Sequence, residues 1–149
     1  MTLACHELTP REPDSWAQFV SALHAAGLPT EDLTEPGQAF FAFQDHDRTP
    51  VGFGGYQLAD GDALLRSIMV VPSRRRRGLG STILTQLLAC AVAGNAHTAW
   101  LLTTDAERFF ARHAFVRKER TEAPPAIAAT PQFTSICRAS AVLMCRPLR

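Results

Sequence analysis

The sequence predicts an α/β (α+β) fold, with a mixed sheet and helices on both faces. Three observations point to it. Three apolar runs succeed one another between residues 39 and 71, separated only by short turn-forming stretches. A long amphipathic segment, residues 79–93, follows directly. Strand–helix–strand successions then occupy the remaining chain. With 149 residues, 46% hydrophobic and 19% charged, the chain suits one domain over 1–149 that is able to bury a real core.

Taken in order, Thr2 to Leu8 reads as a short strand. Glu12 to Ala26 reads as a helix, because Trp16, Phe19, Val20, Leu23 and Ala26 share one face and Gly27 ends it. Leu28 to Gly37 holds two prolines and three acids and reads as a loop with one helical turn. Ala39–Gln44, Val51–Leu58 and Leu64–Val71 are strands, and the links HDRTP and ADGD make them an antiparallel meander. Glycines at 52, 54 and 55 imply close approach of another backbone or a ligand, or else a bulge. Pro72 stops the third strand. Leu79–Ala93 is the strongest helix, with Leu84, Leu87, Leu88 and Ala91 on one face and Gly94 behind it. Thr98–Thr103 is a buried strand and Ala106–His113 a short helix. Phe115–Glu119 and Ala141–Cys145 are strands flanking the excursion TEAPPAIAATPQFTSICRAS, which has room for one helix.

No apolar run approaches the roughly 20 residues that span a bilayer. The opening MTLACHELTPREPD has no basic stretch followed by an apolar one, so no secretory leader is expected. Cys5, Cys90, Cys137 and Cys145 form no C-x-x-C pair, which favours reduced thiols in the cytoplasm and no metal site.

Net charge is +1 and the pI near 7.8, yet Arg74 to Arg77 stand together between the third strand and the long helix. The amides opening that helix have no internal partner and carry the positive end of its dipole. Gly78 and Gly80 let a ligand approach them, and arginines add charge-assisted hydrogen bonds. That combination asks for a phosphate, above all a pyrophosphate. A Walker loop needs a lysine, which this segment lacks, and a dinucleotide fingerprint needs a third glycine where Ile83 stands. A third pattern is satisfied: Gln or Arg, two free positions, Gly, one free position, Gly or Ala. It is present as Arg75-Arg76-Arg77-Gly78-Leu79-Gly80. A solvated arginine turn touching nucleic acid is the competing account, and a locally charged, near-neutral chain gives it little support.

This loop resembles the pyrophosphate loop of the GNAT N-acetyltransferase superfamily. IMVVP upstream resembles the strand ending that binds pantetheine, and FFARHAF at 109–115 resembles a later family element. The resemblance implies a mostly antiparallel central sheet of six to seven strands and an acetyl-CoA cosubstrate. It also implies a small-molecule amine acceptor, no nucleic-acid or membrane partner, and dimers as a common assembly. LLRSIMV, LLTTDAERFFARHAF and APPAIAATPQFTSICRASAVLM further resemble the arsenic-resistance-associated subgroup, whose substrates are poorly defined; the resemblance implies amino-acid-like molecules, arsenic- or phosphorus-bearing amino acids included, as one class of acceptor.

Site roles follow from the resemblance. Ile68, Met69 and Val70 would bind pantetheine, with Met69 or Val70 stabilising the oxyanion. Arg75, Arg76, Arg77, Gly78, Leu79, Gly80 and Ser81 would hold the diphosphate. Phe110 occupies the position where many members carry a proton-donating tyrosine, and Ala114 stands where glycine is usual. Phe110 cannot donate, which leaves packing against cofactor or core; Tyr56, Thr103, Ser140 or a water is left to protonate the thiolate. Arg66, in an apolar strand, holds either a substrate carboxylate or an internal acid. Gln132, Phe133 and Cys137 fall near the acceptor. Glu107, Glu122, His6 and His113 are the candidate bases, each equally readable as a plain surface or core residue.

Overall fold

The computed structural model describes residues 2–75, 78–136 and 140–148. β1 (Ala4–Leu8) leads into α1 (Pro13–Ala25), followed by β2 (Gln38–Gln44), β3 (Pro50–Ala59) and β4 (Asp62–Val70). Then come α2 (Leu79–Ala93), β5 (Thr98–Thr103), α3 (Glu107–Ala111) and β6 (Val116–Lys118). The excursion holds α4 (Pro125–Ala128) and a wide turn at Gln132–Ile136, after which β7 (Val142–Pro147) closes the fold. The strands form one seven-stranded sheet in the order β1-β2-β3-β4-β5-β7-β6. Neighbours run antiparallel except β4 and β5, which are parallel.

The expected meander is present, and α2 and β5 have the expected bounds. β1 starts later than expected and α3 ends sooner, because Ala114 takes a left-handed backbone, φ +68°, that a helix cannot continue.

Both faces of the sheet are covered. α2 lays Ile83, Leu84, Leu87 and Ala91 on Phe41, Phe43, Leu65 and Leu101. α1 lays Phe19 and Leu23 on Phe40, Ala42 and Phe53 of the opposite face, and Ile127 of α4 covers Leu64, Trp100 and Leu143. Each such side chain, fully buried, contributes roughly 1.5–3 kcal/mol, so α2 is the principal anchor. Gly52 makes that seat possible: a Cβ there would run into the Ile83 side chain and the Met69 carbonyl. The glycines of β3 therefore admit the helix and the neighbouring strand, and none of them lines the cleft between β4 and β5.

Two irregularities prepare the site. Phe53 pairs with Met69 but Gly55 pairs with Arg66, so β4 carries one residue too many at Ser67–Ile68. Ser67 absorbs it with φ +59°, a β-bulge that reverses which side chains face which layer. Ala63 and Leu65 face α2 before the bulge; Ile68 and Val70 do so after it, while Met69 turns to α1. Secondly, β4 and β5 pair only from Asp62↔Thr98 to Leu64↔Trp100. Beyond Leu64 the two strands part.

Candidate active site

The parted strands enclose a cleft of about 330 Å³. Residues 65–70 of β4 form one wall, and residues 101–103 of β5 with Asp105, Phe109 and Phe110 form the other. Gly80, at the start of α2, closes one end, while Leu28, Pro29 and Gln132 border the rest.

The start of α2 is uncapped. Gly78 precedes it with φ +68°, no side chain caps it, and no acid lies in its first turn. The first bond into the helix is Thr82 N–H to the Gly78 carbonyl at 3.3 Å, so the Leu79, Gly80 and Ser81 amides have no helical partner. A Cβ at Gly78 would meet open space, so that backbone is accessible to a ligand. Arg75 donates through Nε to the Val70 carbonyl at 3.3 Å, which brings its guanidinium to the cleft edge. Arg74 is already committed: it lies 2.7 Å from Asp45 and, by that hydrogen bond, holds the carboxyl below its ordinary value. Amides without a partner among the described residues, open space and a nearby cation suit a diphosphate. Arg76 and Arg77 lie outside the described residues.

The Val71 amide donates to the Val51 carbonyl at 2.9 Å. Strand alternation therefore turns the Val70 amide the other way, into the splay. Ile68, Met69, Phe110, Arg66 and Gln132 also line the cleft. Gln132 is 5% exposed, and its Oε1 has no hydrogen-bond partner. Leu79 sends its side chain into the core and offers only its amide. Ser81 holds its hydroxyl 3.0 Å from Nε2 of His113, outside the cleft.

Arg66 resolves toward the internal acid. It donates to Asp32 at 2.6 Å and to Gln38 Oε1 at 2.9 Å, and its side chain is 2% exposed. Further bonds to the Pro29 carbonyl at 3.4 Å and, from Nε, to Ser67 Oγ at 3.3 Å join the Phe40 ring at 5.6 Å around it. It is the plinth of the loop that overhangs the cleft.

Several candidates stand elsewhere. Tyr56 packs against Phe41 under α2 and points its hydroxyl at Gly94, the opposite end of that helix from the cleft. A fifteen-residue helix puts about 20 Å between those ends, so Tyr56 does not serve as the proton donor. Phe133 stacks under Arg120 at 5.4 Å, in the cluster beneath α4, and does not line the cleft. Glu107 faces Arg117, Glu122 accepts from the Glu119 amide, and His6 meets Glu12. Ser140 is exposed in a turn, and Cys137 lies outside the described residues.

Asp105 was not among the expected residues. It is the one carboxylate among the described residues lining the cleft. Its signal was positional: it falls just past the carboxyl end of β5, where open α/β sheets gather ligands. Thr103, beside it, accepts from the Ala106 amide at 3.1 Å, and its hydroxyl carries a hydrogen as well as lone pairs.

Set against known proteins, residues 4–118 match the model of the acetyltransferase (GNAT) family. No functionally curated protein matches the sequence. Among solved structures, the chain is similar to a GNAT-family acetyltransferase from Staphylococcus aureus Mu50 (TM-score 0.73, 15% identity, 99% of this chain and 100% of that one). It is also similar to Tetrahymena GCN5 (TM-score 0.78, 12% identity, 99% and 97%). Rv2747 from Mycobacterium tuberculosis, solved with coenzyme A, is similar too (TM-score 0.74, 17% identity, 98% and 99%). At such identities the structural likeness speaks for the fold alone, and the family match over most of the sequence supplies the rest: the chain belongs to the acetyltransferase (GNAT) family.

Proposed function

We propose that the protein is an acetyl-CoA-dependent N-acetyltransferase that acylates the amine of a small molecule within a ternary complex. The observation that carries this reading is the splay of β4 from β5 directly beside the uncapped start of α2. Bound acetyl-CoA would supply the acetyl thioester. The amides of Leu79, Gly80 and Ser81, with Arg75, Arg76 and Arg77, hold the diphosphate, and the backbone of Ile68, Met69 and Val70 holds the pantetheine arm. The inward Val70 amide donates to the carbonyl oxygen where negative charge develops. Asp105 orients the acceptor's ammonium and takes its proton. Thr103 offers the hydrogen that Phe110 lacks, and a thiol of pKa about 8.5 needs little help in leaving. Gln132, whose Oε1 has no hydrogen-bond partner at the cleft border, engages the acceptor, and Cys137 of the same excursion is assigned to it by the resemblance.

The acceptor in this reading is amino-acid-like, with arsenic- and phosphorus-bearing amino acids included, by the local resemblance of three segments. The setting is cytoplasmic and the assembly a homodimer. A second reading, a silent acetyl-CoA-binding module, is favoured by one observation, the phenylalanine at position 110.

Thiol release from acetyl-CoA across a panel of amines and amino acids decides between them. Turnover with at least one amine is expected, and Asp105→Asn should lower kcat/KM by about 10²-fold with CoA affinity unchanged. Binding without turnover on any acceptor would establish the silent module, and no binding at all would refute both.

A further inference from the structure

β1 and α2 lie side by side at the sheet edge, in step with each other. The Gln86 carboxamide closes two hydrogen bonds on Leu3, accepting from its amide at 2.8 Å and donating to its carbonyl at 2.9 Å. Two residues along the strand is about 6.7 Å and four along the helix about 6 Å. The match brings the next pair, Cys5 and Cys90, together with their sulfurs 3.8 Å apart. Cys5 is exposed and Cys90 half-buried, so a small reagent reaches the pair from solvent. Neither residue lines the cleft, and nothing in acetyl transfer uses them.

We propose that Cys5 and Cys90 form a redox-active dithiol, which a low-molecular-weight disulfide converts to an intramolecular disulfide that staples β1 to α2. The Gln86 clamp keeps the strand backbone one glutamine side chain from the helix, and rotation of two short side chains draws the sulfurs from 3.8 Å to bonding distance near 2.05 Å. One cysteine, as thiolate, attacks the reagent's S–S bond and expels one small thiol. The other cysteine loses its proton to solvent, attacks the protein sulfur of the mixed disulfide and expels the second small thiol. The protein loses two electrons and the reagent gains them as two thiols. Burial and the neighbouring Cys90, with Glu7 adding to them, push the Cys5 thiol up from 9.0 to about 12. Tyr56, which burial, Cys90 and Glu7 push up from its ordinary value, is a further titratable group near the pair. Attack needs a thiolate, so closure accelerates as pH rises.

The test is oxidised glutathione at pH 8 on the full-length protein, followed by alkylation, digestion and mass mapping. A peptide pair joined through Cys5 and Cys90 is expected, with two free thiols lost per chain. The thermal midpoint should rise by about 10 °C and return on reduction. Cys5→Ser, at an exposed position, should abolish both changes. The proposal is overturned by a stable glutathione adduct on Cys5 with Cys90 still open to alkylation, by pairing of either residue with Cys137, or by a cross-link that lowers the midpoint.

Discussion

Arg66 sits in a run of buried apolar residues, and its surroundings explain why a charge is tolerated there. The guanidinium spends its donors on Asp32, Gln38, Pro29 and Ser67 and lies over Phe40, which links β4 to the loop above the cleft and to β2. Asp32 in turn depends on that partner, since its other oxygen, Oδ1, has none. Removing the arginine alone leaves a carboxylate buried without a counter-charge. Arg66→Met should therefore destabilise the protein by about 3–5 kcal/mol, whereas adding Asp32→Leu should recover most of that loss. Urea denaturation of the two variants measures both; equal losses would mean that the pair is not coupled.

At the scale of the elements, α3 shows how one residue sets a boundary. Phe115 N–H reaches the Phe110 carbonyl at 3.1 Å across the end of α3, a closure that requires a left-handed residue at Ala114. Alanine adopts that conformation at a cost of about 1–2 kcal/mol, part of which glycine returns through its looser unfolded chain. Ala114→Gly should thus stabilise the protein by about 1 kcal/mol, seen as a later midpoint in denaturant. Elements of this kind were legible in the sequence because they are local: stripes on α1 and α2, short turns in the meander, glycines behind helices. The phosphate-type loop was legible for the same reason, as arginines and glycines adjacent in sequence. Strand pairing was not. Periodicity says which face a residue takes, not where β4 leaves β5, nor that an extra residue at Ser67 reverses the alternation behind it. So Asp105 and the paired state of Arg66 emerged only from the fold, and Tyr56, a candidate proton donor, and Phe133, a candidate acceptor contact, proved not to line the cleft.

In the whole molecule, the sheet consists of two halves, β1 to β4 and β5 with β7 and β6, joined by three registered residue pairs and by α2 beneath them. The cleft opens at that seam, so a ligand held by residues 68–70 on one side and 101–103 on the other bridges both halves. Binding of this kind stabilises the folded state by mass action, about 2.7 kcal/mol when free CoA is a hundred times its Kd. For a chain of this length the thermal midpoint should rise by about 5–10 °C. Gly78→Val separates that effect from folding. A Cβ at Gly78 meets open space, so the variant's own midpoint should fall only by the backbone strain of about 1–2 kcal/mol. The side chain would nevertheless stand where the diphosphate must approach the α2 amides, and the CoA-induced shift should vanish. Thermal scans of both proteins with and without CoA make the comparison. A shift of the same size in Gly78→Val would place the diphosphate away from this helix start, whereas its loss ties the seam, the loop and the ligand into one unit.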